Sequence, residues 1–375
     1  MKVRFVITAA RTLYSGGGSR NIYNLAMQLS KNGHDASVVA FVDLSRIPTF
    51  LGGSKSKPSV SYVNVNYLCH PMTFINHIAA GASMKTPLLI PVQLVTYALS
   101  LLLSSEPAVY VATAWQTTFP VLKVSEMIEQ PGMYFAQAYE TMFSKHSVYR
   151  YFANKTYTYP FIRFTQSAWL KRFLEENYGG KAYHIGMGIN HEVFRSAKVI
   201  QHKRRIVTVA RIDPNKGFDT FVGAIRRLYK MRNDFEVVII GEKQAVASQE
   251  MDFPHKFVGW ITNDQELANL YQGSIFVNTG KHESLPMPPL EAMACAATVV
   301  MTDTEGAREY TVDNQNCLLA PIGDAKALAN RINEALSNDS LREELAKNAV
   351  LTAHGYRWDI VARNFEEVAR KEGLQ

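Results

Sequence analysis

Two segments of the sequence each start a strand, loop and helix pattern, and this repeat limits the fold more than any other feature. The first begins with "VRFVITAA", a continuous apolar run of the kind that forms a strand buried on both faces. A glycine-rich loop, a helical pattern and a strand over Ala36 to Val42 follow it. The apolar face of that helix comprises Ile22, Leu25, Ala26 and Leu29. The second segment, "RRIVTVARIDPNKGFDTF", repeats this order with a strand over Ile206 to Ala210, so each segment predicts the start of a separate parallel sheet.

Strand and helix patterns keep alternating after the second segment, which is typical of doubly wound sheets. The helices expected there are Asp264 to Tyr271, Ala325 to Leu336, Leu341 to Leu351 and Trp358 to Lys371. Ligands of such sheets bind beyond the carboxyl ends of the strands. We therefore predict an α/β fold with two Rossmann-like, doubly wound domains, 1–195 and 196–355, and an interdomain cleft faced by both carboxyl edges. The hypothesis for 356–375 is a C-terminal helix that packs back on the first domain.

Composition limits the class of protein. A chain of 375 residues, 47% of them hydrophobic, can bury a large core, which argues against a disordered protein. The three widely spaced cysteines, Cys69, Cys295 and Cys317, fit neither a disulfide framework nor a zinc site and favour a reducing compartment. The apolar run from Pro87 to Ser105 contains two prolines, which favours a buried or partly exposed helix over the alternative of a membrane span. The N-terminal apolar run is too short for a signal peptide and predicts a first strand.

The net charge of +7 is unevenly distributed. Met1 to Arg195 contains 18 Lys and Arg against 9 Asp and Glu, a net charge of +9, whereas the rest contains 22 against 24, a net charge of −2. Either the first half has a well-solvated basic surface, or it faces an anionic partner such as a phosphorylated acceptor or a membrane. Nucleic acid is not among the expected partners.

Two loops that follow strands have the composition of phosphate-binding loops. The loop "RIDPNKG" places Arg211 and Lys216 between a strand and a helix, where two cations and free backbone amides suit a diphosphate. The alternative interpretation is an ordinary basic loop that binds no phosphate. In the glycine-rich loop, Gly17 and Gly18 would let backbone amides approach a ligand, although such turns are common after strands. Their spacing is not the G-x-G-x-x-G fingerprint, which makes an NAD oxidoreductase the least favoured class.

Two carboxylates stand eight positions apart in the stretch "GKHESLPMPPLEAMACAATVV". Pro286, Pro288 and Pro289 keep the backbone from turning helical early, so Glu283 is expected in a fixed loop. Glu291 is expected in the first turn of the next helix, where the helix dipole favours a carboxylate that could accept hydrogen bonds from a ribose diol. The alternative is a solvated Glu283 and a Glu291 that merely caps the helix.

Candidates for an acceptor site lie in the first half. Trp115, Tyr139 and Glu140 could offer an aromatic surface to a sugar ring and a carboxylate to its hydroxyl groups; the alternative for each is a place in the core. His282 is of interest because it is adjacent to Glu283. The alternative is an ordinary loop histidine whose hydrogen bonds are satisfied within the protein. The histidines show no spacing typical of metal ligands, and no D-x-D motif occurs.

Five segments occur in a characteristic order: the glycine-rich loop, "FTQSAWLKRFL", "GMGINHEVF", "VARIDPNKGFDTF" and "HESLPMPPLEAMACAATVV". In these segments the chain resembles the retaining glycosyltransferases of family 4, which have the GT-B fold. The segments "PPLEAMA" and "YFAQAYE" are also similar to rhamnosyltransferase-like members that use dTDP-rhamnose. The chain departs from the family at Pro286, which stands where the usual glycine would offer a backbone amide.

This resemblance implies roles for individual residues. The residues implied in donor binding are Gly17, Gly18, Arg211, Lys216, Glu283, Ser284, Leu285 and Glu291. Of these, Arg211 and Lys216 would hold the diphosphate, Glu283 would contact the transferred sugar near its reacting carbon, and Glu291 would bind the ribose. The catalytic candidates are Glu283, Lys216 and Arg211. The resemblance also implies catalysis without a metal and retention at the anomeric carbon.

The function predicted from the sequence is hexosyl transfer in polysaccharide or glycoconjugate synthesis. The donor would be a UDP-, GDP- or dTDP-sugar bound by the second domain, the acceptor a saccharide or lipid-linked hydroxyl bound by the first, and no cofactor is expected. A cytoplasmic protein is expected, and weak peripheral contact with the inner membrane face through the basic first domain is a further hypothesis. Two other classes stay open: a nucleotide-sugar epimerase or hydrolase on the same fold, and a catalytically reduced partner that binds sugar nucleotides.

Overall fold

The chain forms two compact units in a computed structural model that describes residues 1–8, 17–42, 60–64, 103–104, 106–143, 146–197 and 204–374. Unit 1 comprises Met1–Met187 and Trp358–Gln375, and unit 2 comprises Gly188–Arg357. The first unit thus ends before the predicted residue 195, and the last helix groups with it. Three parts of the sequence lie outside the described residues: Gly16, which is the first glycine of the glycine-rich loop, Cys69 and, apart from Leu103 and Ser104, the apolar run from Pro87 to Ser105.

Unit 1 is built on a parallel sheet. Its described strands are β1 Lys2–Thr8, β2 Asp35–Val42, β3 Val60–Asn64, β4 Val109–Ala112, β5 Met133–Ala136, β6 Ile162–Thr165 and β7 Ala182–His184. The strand order is β3-β2-β1-β4-β5-β6-β7, and each neighbouring pair is parallel. The order reverses beside β1, since β2 and β4 lie on its two sides. This is the topology of a doubly wound sheet.

Helices cover this sheet with their apolar faces. They are α1 Gly17–Lys31, α2 Trp115–Met127, α3 Ser147–Thr156, α4 Ala168–Tyr178 and the C-terminal α11 Trp358–Lys371, and a 3₁₀ turn spans Glu140–Phe143. The predicted apolar face of α1 is fully buried, as Leu25 and Leu29 illustrate. In α11, the Phe365 ring lies 5.9 Å from Phe5 and 5.0 Å from Phe164 between ring centres. These contacts pack the last helix against β1 and β6 of unit 1.

Unit 2 contains a second parallel sheet. Its strands are β8 Arg205–Ala210, β9 Glu236–Gly241, β10 Lys256–Gly259, β11 Ile275–Asn278, β12 Thr298–Thr302 and β13 Leu318–Ala320. The order is β10-β9-β8-β11-β12-β13, again with parallel neighbours. The chain runs outward from β8 in both directions, so the switch point lies between β8 and β11. Beyond the carboxyl ends of these two strands is the place where a doubly wound sheet binds its ligand.

The helices of unit 2 are α5 Phe218–Tyr229, α6 Lys243–Ala247, α7 Asp264–Tyr271, α8 Met287–Ala294, α9 Ala325–Ser337 and α10 Asp339–His354, with 3₁₀ turns at Pro214–Lys216 and Ala307–Glu309. Phe221, Ile225 and Leu228 form a buried stripe on α5, and Leu328 and Ile332 belong to the same core. Each such side chain contributes about 1.5–3 kcal/mol by leaving water. This core anchors the loops that emerge at the carboxyl edge.

Candidate functional site

Two loops leave the sheet of unit 2 at its switch point and are bonded to each other. One follows β8 and spans 211–217, and the other follows β11 and spans 279–286. The amide of Lys281 donates to the Asn215 carbonyl at 2.7 Å, and the Thr279 hydroxyl donates to the Lys216 carbonyl at 3.1 Å. Because each loop satisfies polar groups of the other, side chains from the two are held in a fixed relation.

Gly217 permits this close contact. Its φ is +64°, and a Cβ built at this position would lie 1.9 Å from the Thr279 carbonyl oxygen. Only glycine avoids both the left-handed strain and the clash. The residue before it, Lys216, is thereby directed to the neighbouring loop.

Lys216 and Glu283, both predicted to bind the donor, form an ion pair between these loops. The ammonium of Lys216 donates to Glu283 Oε2 at 2.9 Å. The Glu283 side chain is only 10% exposed, whereas that of Lys216 is 35% exposed. An ammonium group has three N–H donors, so Lys216 can hold Glu283 and also donate to an anion.

The Glu283 loop is braced from the residues that follow β12. The Gly306 amide donates to the Glu283 carbonyl at 2.9 Å, and the buried Tyr310 hydroxyl donates to the Pro286 carbonyl at 2.8 Å. A Cβ on Gly306 would lie 2.2 Å from the Ser284 carbonyl, so this approach requires glycine. Burial, with a smaller effect of the Glu283 charge, holds the pKa of Tyr310 well above its ordinary value and keeps it a neutral donor. The loop is fixed before any ligand arrives.

Several polar atoms near this loop are buried without a hydrogen-bond partner among the described residues. They are Asn278 Nδ2, Thr304 Oγ1 and Glu305 Oε2, from the carboxyl ends of β11 and β12. The other oxygen of Glu305 lies 3.6 Å from His282 Nδ1. Buried polar groups without partners are uncommon, and the hydroxyl groups of a ligand could satisfy both donors and acceptors. The sequence analysis missed these three residues, although polar side chains directly after apolar strands were a usable signal.

Arg211 has partners different from those of Lys216. Its Nε lies 3.2 Å from Glu242 Oε1, and its guanidinium carbon lies 4.9 Å from the centre of the Trp260 ring. Glu242 also accepts the Ile212 amide at 2.6 Å, which fixes the carboxylate. These partners follow β9 and β10, whereas Glu283 follows β11 on the other side of β8. Sequence reasoning did not name Glu242 or Trp260, of which the latter is 43% exposed.

The prediction for Glu291 was wrong in one respect. Helix α8 begins at Met287, so Glu291 lies in its second turn and not in the first. Proline suits the first turn of a helix because the amide it lacks has no partner there, and this moved the start earlier than expected. Glu291 is 4% exposed and Leu285 is 5% exposed, while Ser284 is partly exposed. The structure therefore places Glu291 on the helix that follows the Glu283 loop, nearly enclosed by protein.

Two of the three acceptor candidates of unit 1, Trp115 and Glu140, lie in its interior, as the alternative interpretation had it, whereas Tyr139 is partly exposed. Trp115 is 3% exposed and Glu140 is 7% exposed. The Glu140 carboxyl group accepts the Trp115 amide at 3.1 Å and the Tyr134 hydroxyl at 2.5 Å, and burial raises its pKa to about 7. The Tyr139 hydroxyl is bonded to Asn154 at 3.1 Å. A hydrogen-bonded loop network explains their positions, because a buried carboxyl group must be satisfied locally.

The glycine candidates of unit 1 lie at the start of α1. Gly17 is its first residue and Gly18, which is exposed, its second. A Cβ on Gly18 would lie 3.5 Å from the Gln137 side chain, an ordinary contact distance. The local backbone at Gly18 therefore does not itself require glycine.

Two kinds of feature are absent from the described ranges. No group of three or more His, Cys, Asp or Glu there could hold a metal ion. In the same ranges, no helix combines the length and the apolar character that a membrane crossing needs.

Residues 190–351 match the family model "Glycosyl transferases group 1". Unit 2 is a glycosyltransferase group 1 domain. The matched range contains Arg211, Lys216, Glu283 and Glu291, so the ion pair and the braced loop lie within it.

Individual relatives agree with this assignment. A phosphatidyl-myo-inositol mannosyltransferase of Mycobacterium leprae is 27% identical over 214 residues, which cover 53% of this chain and 57% of the relative. The chain spans about half the length of the curated relatives it matches. The alignments therefore cover about half of each protein and not the whole.

Solved structures match almost the whole chain. Sucrose-phosphate synthase from Thermosynechococcus elongatus superposes with a TM-score of 0.79 at 15% identity. The match covers 99% of this chain and 99% of the synthase. HepE of Anabaena in complex with UDP-glucose has a TM-score of 0.74 at 15% identity, with 99% of this chain and 100% of HepE covered. At such identities the likeness concerns the fold alone. The predicted α/β fold class of the GT-B glycosyltransferases is confirmed.

Proposed function

We propose that the protein is a glycosyltransferase that moves a hexose from a nucleotide-diphosphate sugar to a hydroxyl group of an acceptor. The observation that carries the proposal is the Lys216–Glu283 ion pair at the switch point of the group 1 domain. A cation and a carboxylate at this point suit a ligand with a phosphate at one end and hydroxyl groups at the other. The unpartnered atoms of Asn278, Thr304 and Glu305 support a ligand rich in hydroxyl groups.

In the proposed reaction, the bond between the anomeric carbon and the diphosphate oxygen breaks, and a bond to the acceptor oxygen forms on the same face. The departing diphosphate gains negative charge, which Lys216 stabilises with its remaining N–H donors. A phosphate oxygen takes the proton of the acceptor hydroxyl, so no side chain need act as the base. Glu283 accepts hydrogen bonds from the sugar and holds it for attack. Catalysis proceeds with retention and without a metal or cofactor.

Arg211 and Trp260 extend the proposed donor site on the β9–β10 side of β8. The guanidinium is held by Glu242 and by the Trp260 ring, so it is already oriented toward one position. A second cation there supports the binding of the diphosphate, with Glu291 proposed for the ribose. The complex of HepE with UDP-glucose supports a UDP-sugar as the first donor to test, followed by GDP- and dTDP-sugars.

The proposed acceptor is a saccharide or a lipid-linked hydroxyl in polysaccharide or glycoconjugate synthesis. The relative from Mycobacterium leprae is named for transfer of mannose to phosphatidyl-myo-inositol, which supports an acceptor that carries a lipid. The net charge of +9 over Met1 to Arg195 supports an anionic acceptor or surface. We place the protein in the cytoplasm, in peripheral contact with the inner membrane face.

The donor site is tested first. A thermal-shift panel of UDP-, GDP-, ADP- and dTDP-sugars identifies the nucleotide, and Lys216→Ala is then compared with wild type using that donor. We expect kcat/KM to fall roughly 10²–10³-fold, as for loss of a group that stabilises transition-state charge. Lys230→Ala is the matched control, because this exposed lysine follows the far end of α5. Unchanged turnover in Lys216→Ala would refute the proposed role.

The class of reaction is tested by product analysis. NMR of the reaction mixture should show an acceptor glycoside with the anomeric configuration of the donor. An epimerised sugar nucleotide, or free sugar as the sole product with every acceptor tried, would instead identify the isomerase or hydrolase class. Binding of the donor without any product would identify a catalytically reduced partner.

A further inference from the structure

Four apolar side chains are exposed together between the 3₁₀ turn of unit 1 and the middle of α3. We call this the α3 patch: Met142 (36% exposed), Phe143 (60%), Val148 (48%) and Tyr151 (64%). Val148 and Tyr151 are three positions apart and so share one face of the helix. Ala153 and Thr156, on the opposite side, are buried. The helix thus turns apolar residues to solvent as well as to the core.

The charged residues of α3 itself are both basic. From Thr141 to Leu174 the sequence contains six Lys and Arg and no Asp or Glu. Arg150 and Lys155 are exposed on α3 itself. The preceding acidic residue, Glu140, is buried and accepts hydrogen bonds from Trp115 and Tyr134. Of the other cations, Arg163 is buried and Lys171 pairs with Glu175 at 2.6 Å, so the exposed charge on α3 is that of Arg150 and Lys155.

We propose that the α3 patch docks on an anionic lipid surface. Two aromatic rings, with a Met and a Val side chain, beside Lys and Arg match the boundary between acyl chains and acidic headgroups. The apolar side chains enter the interface, and the cations remain at the level of the phosphates. The docking rests on the peripheral membrane contact proposed above and names its surface, but it concerns binding to lipid alone and so can be tested apart from the transferase activity.

A second copy of this chain fits the patch less well. In a two-fold symmetric dimer the same surface meets itself, which would place Arg150 and Lys155 of both copies close together. Like charges at an interface oppose association, whereas an anionic bilayer neutralises them. Charge complementarity therefore favours lipid as the occupant.

The position of the α3 patch relates membrane docking to the ligand-binding edge of the unit 1 sheet. Residues 137–146 follow the carboxyl end of β5, so the patch begins at the carboxyl edge of the unit 1 sheet. This is the edge at which a doubly wound sheet binds ligands. A lipid-linked acceptor in the same bilayer would meet the protein at that edge.

The test uses the full-length protein and vesicles. Co-sedimentation is measured with vesicles of phosphatidylglycerol and phosphatidylcholine in equal amounts, and with phosphatidylcholine alone. We expect binding to the anionic vesicles only, weakened by added salt. The double variant V148E/Y151E should lose that binding by at least roughly tenfold, since it replaces two apolar contacts with negative charges. Leu351→Glu, at a residue of unit 2 that is 65% exposed, is the matched control and should bind as wild type.

A second variant, Phe143→Glu, lies outside α3 and keeps the test valid if the double variant unfolds. Thermal unfolding of each variant reports on folding. Absence of wild-type binding to the anionic vesicles at low salt, or equal binding by folded variants, would overturn the proposal. A wild-type dimer in light scattering that the variants convert to monomer would assign the patch to a second copy instead.

Discussion

Lys216 and Glu283 are 67 positions apart in the sequence, and their charged groups lie 2.9 Å apart. Each was identified from its own surroundings: a basic loop before a helix, and an acid among prolines. Their pairing was not predicted, because it depends on β8 and β11 being neighbours, and sequence periodicity does not fix the order of strands. The partners of Arg211 could not be predicted for the same reason. Glu242 and Trp260 lie near it because β9 and β10 follow β8 in the sheet order β10-β9-β8.

Glu140 provides a prediction of pH dependence at the residue scale. Burial raises its pKa from 4.5 to about 7, so the folded protein favours the protonated form. Its contribution to stability is full below pH 4.5 and is lost as the pH rises through about 7. Glu140→Gln stays neutral, and its stability should not show this loss. The difference in unfolding free energy between the two proteins should shift by up to about 3 kcal/mol between pH 4.5 and pH 8.

Urea unfolding at a series of pH values measures this difference. Both proteins carry every other titrating group, so the comparison isolates the one carboxyl group. Parallel stability curves for the two proteins would mean that Glu140 titrates normally and that the buried network tolerates its charge.

At the scale of elements, sequence patterns predicted those with long, regular periodicity. Helices α7 and α11 have the predicted bounds, Asp264–Tyr271 and Trp358–Lys371. Helix α8 differs, because three nearby prolines indicated a loop whereas two of them lie in its first turn. For Trp115 and Glu140 the sequence left an acceptor surface and the core as alternatives, since residue type alone does not reveal which side chains are buried.

Gly217→Ala tests the contact between the two loops of the group 1 domain. The new Cβ would meet the Thr279 carbonyl at 1.9 Å, at a φ of +64°. We expect a loss of about 1–3 kcal/mol in unfolding free energy from backbone strain, and weaker donor binding because Lys216 is displaced from Glu283. Gly323→Ala is the control: its φ is +77°, but no atom lies within 4 Å of its Cβ, so it carries only the conformational cost.

Urea unfolding and calorimetric titration with the donor separate the two effects. The control should lose some stability and keep its donor affinity. Equal donor affinity for Gly217→Ala and wild type would show that the register of these loops does not matter for binding.

At the scale of the whole molecule, alternation of strands and helices was sufficient to predict two doubly wound units. Parallel strands need crossover connections, and the observed helices between consecutive strands of unit 2 provide them. The unit boundaries at Met187 and Trp358 were less predictable. Local sequence patterns indicate where a helix lies, but they do not indicate which of the two sheets it packs against. Helix α11 follows unit 2 in sequence and packs on unit 1 through Phe365.

This division predicts where a bound donor stabilises the molecule. A ligand present at a hundred times its Kd stabilises the state that binds it by about 2.7 kcal/mol. Because loops 211–217 and 279–286 share hydrogen bonds, a donor held by Lys216 should slow opening of both loops together. Hydrogen exchange of the full chain with and without the sugar nucleotide should therefore show protection in both loops, and little change in α1 and α11 of unit 1. Protection of one loop without the other would mean that the ligand does not bind across the Lys216–Glu283 pair.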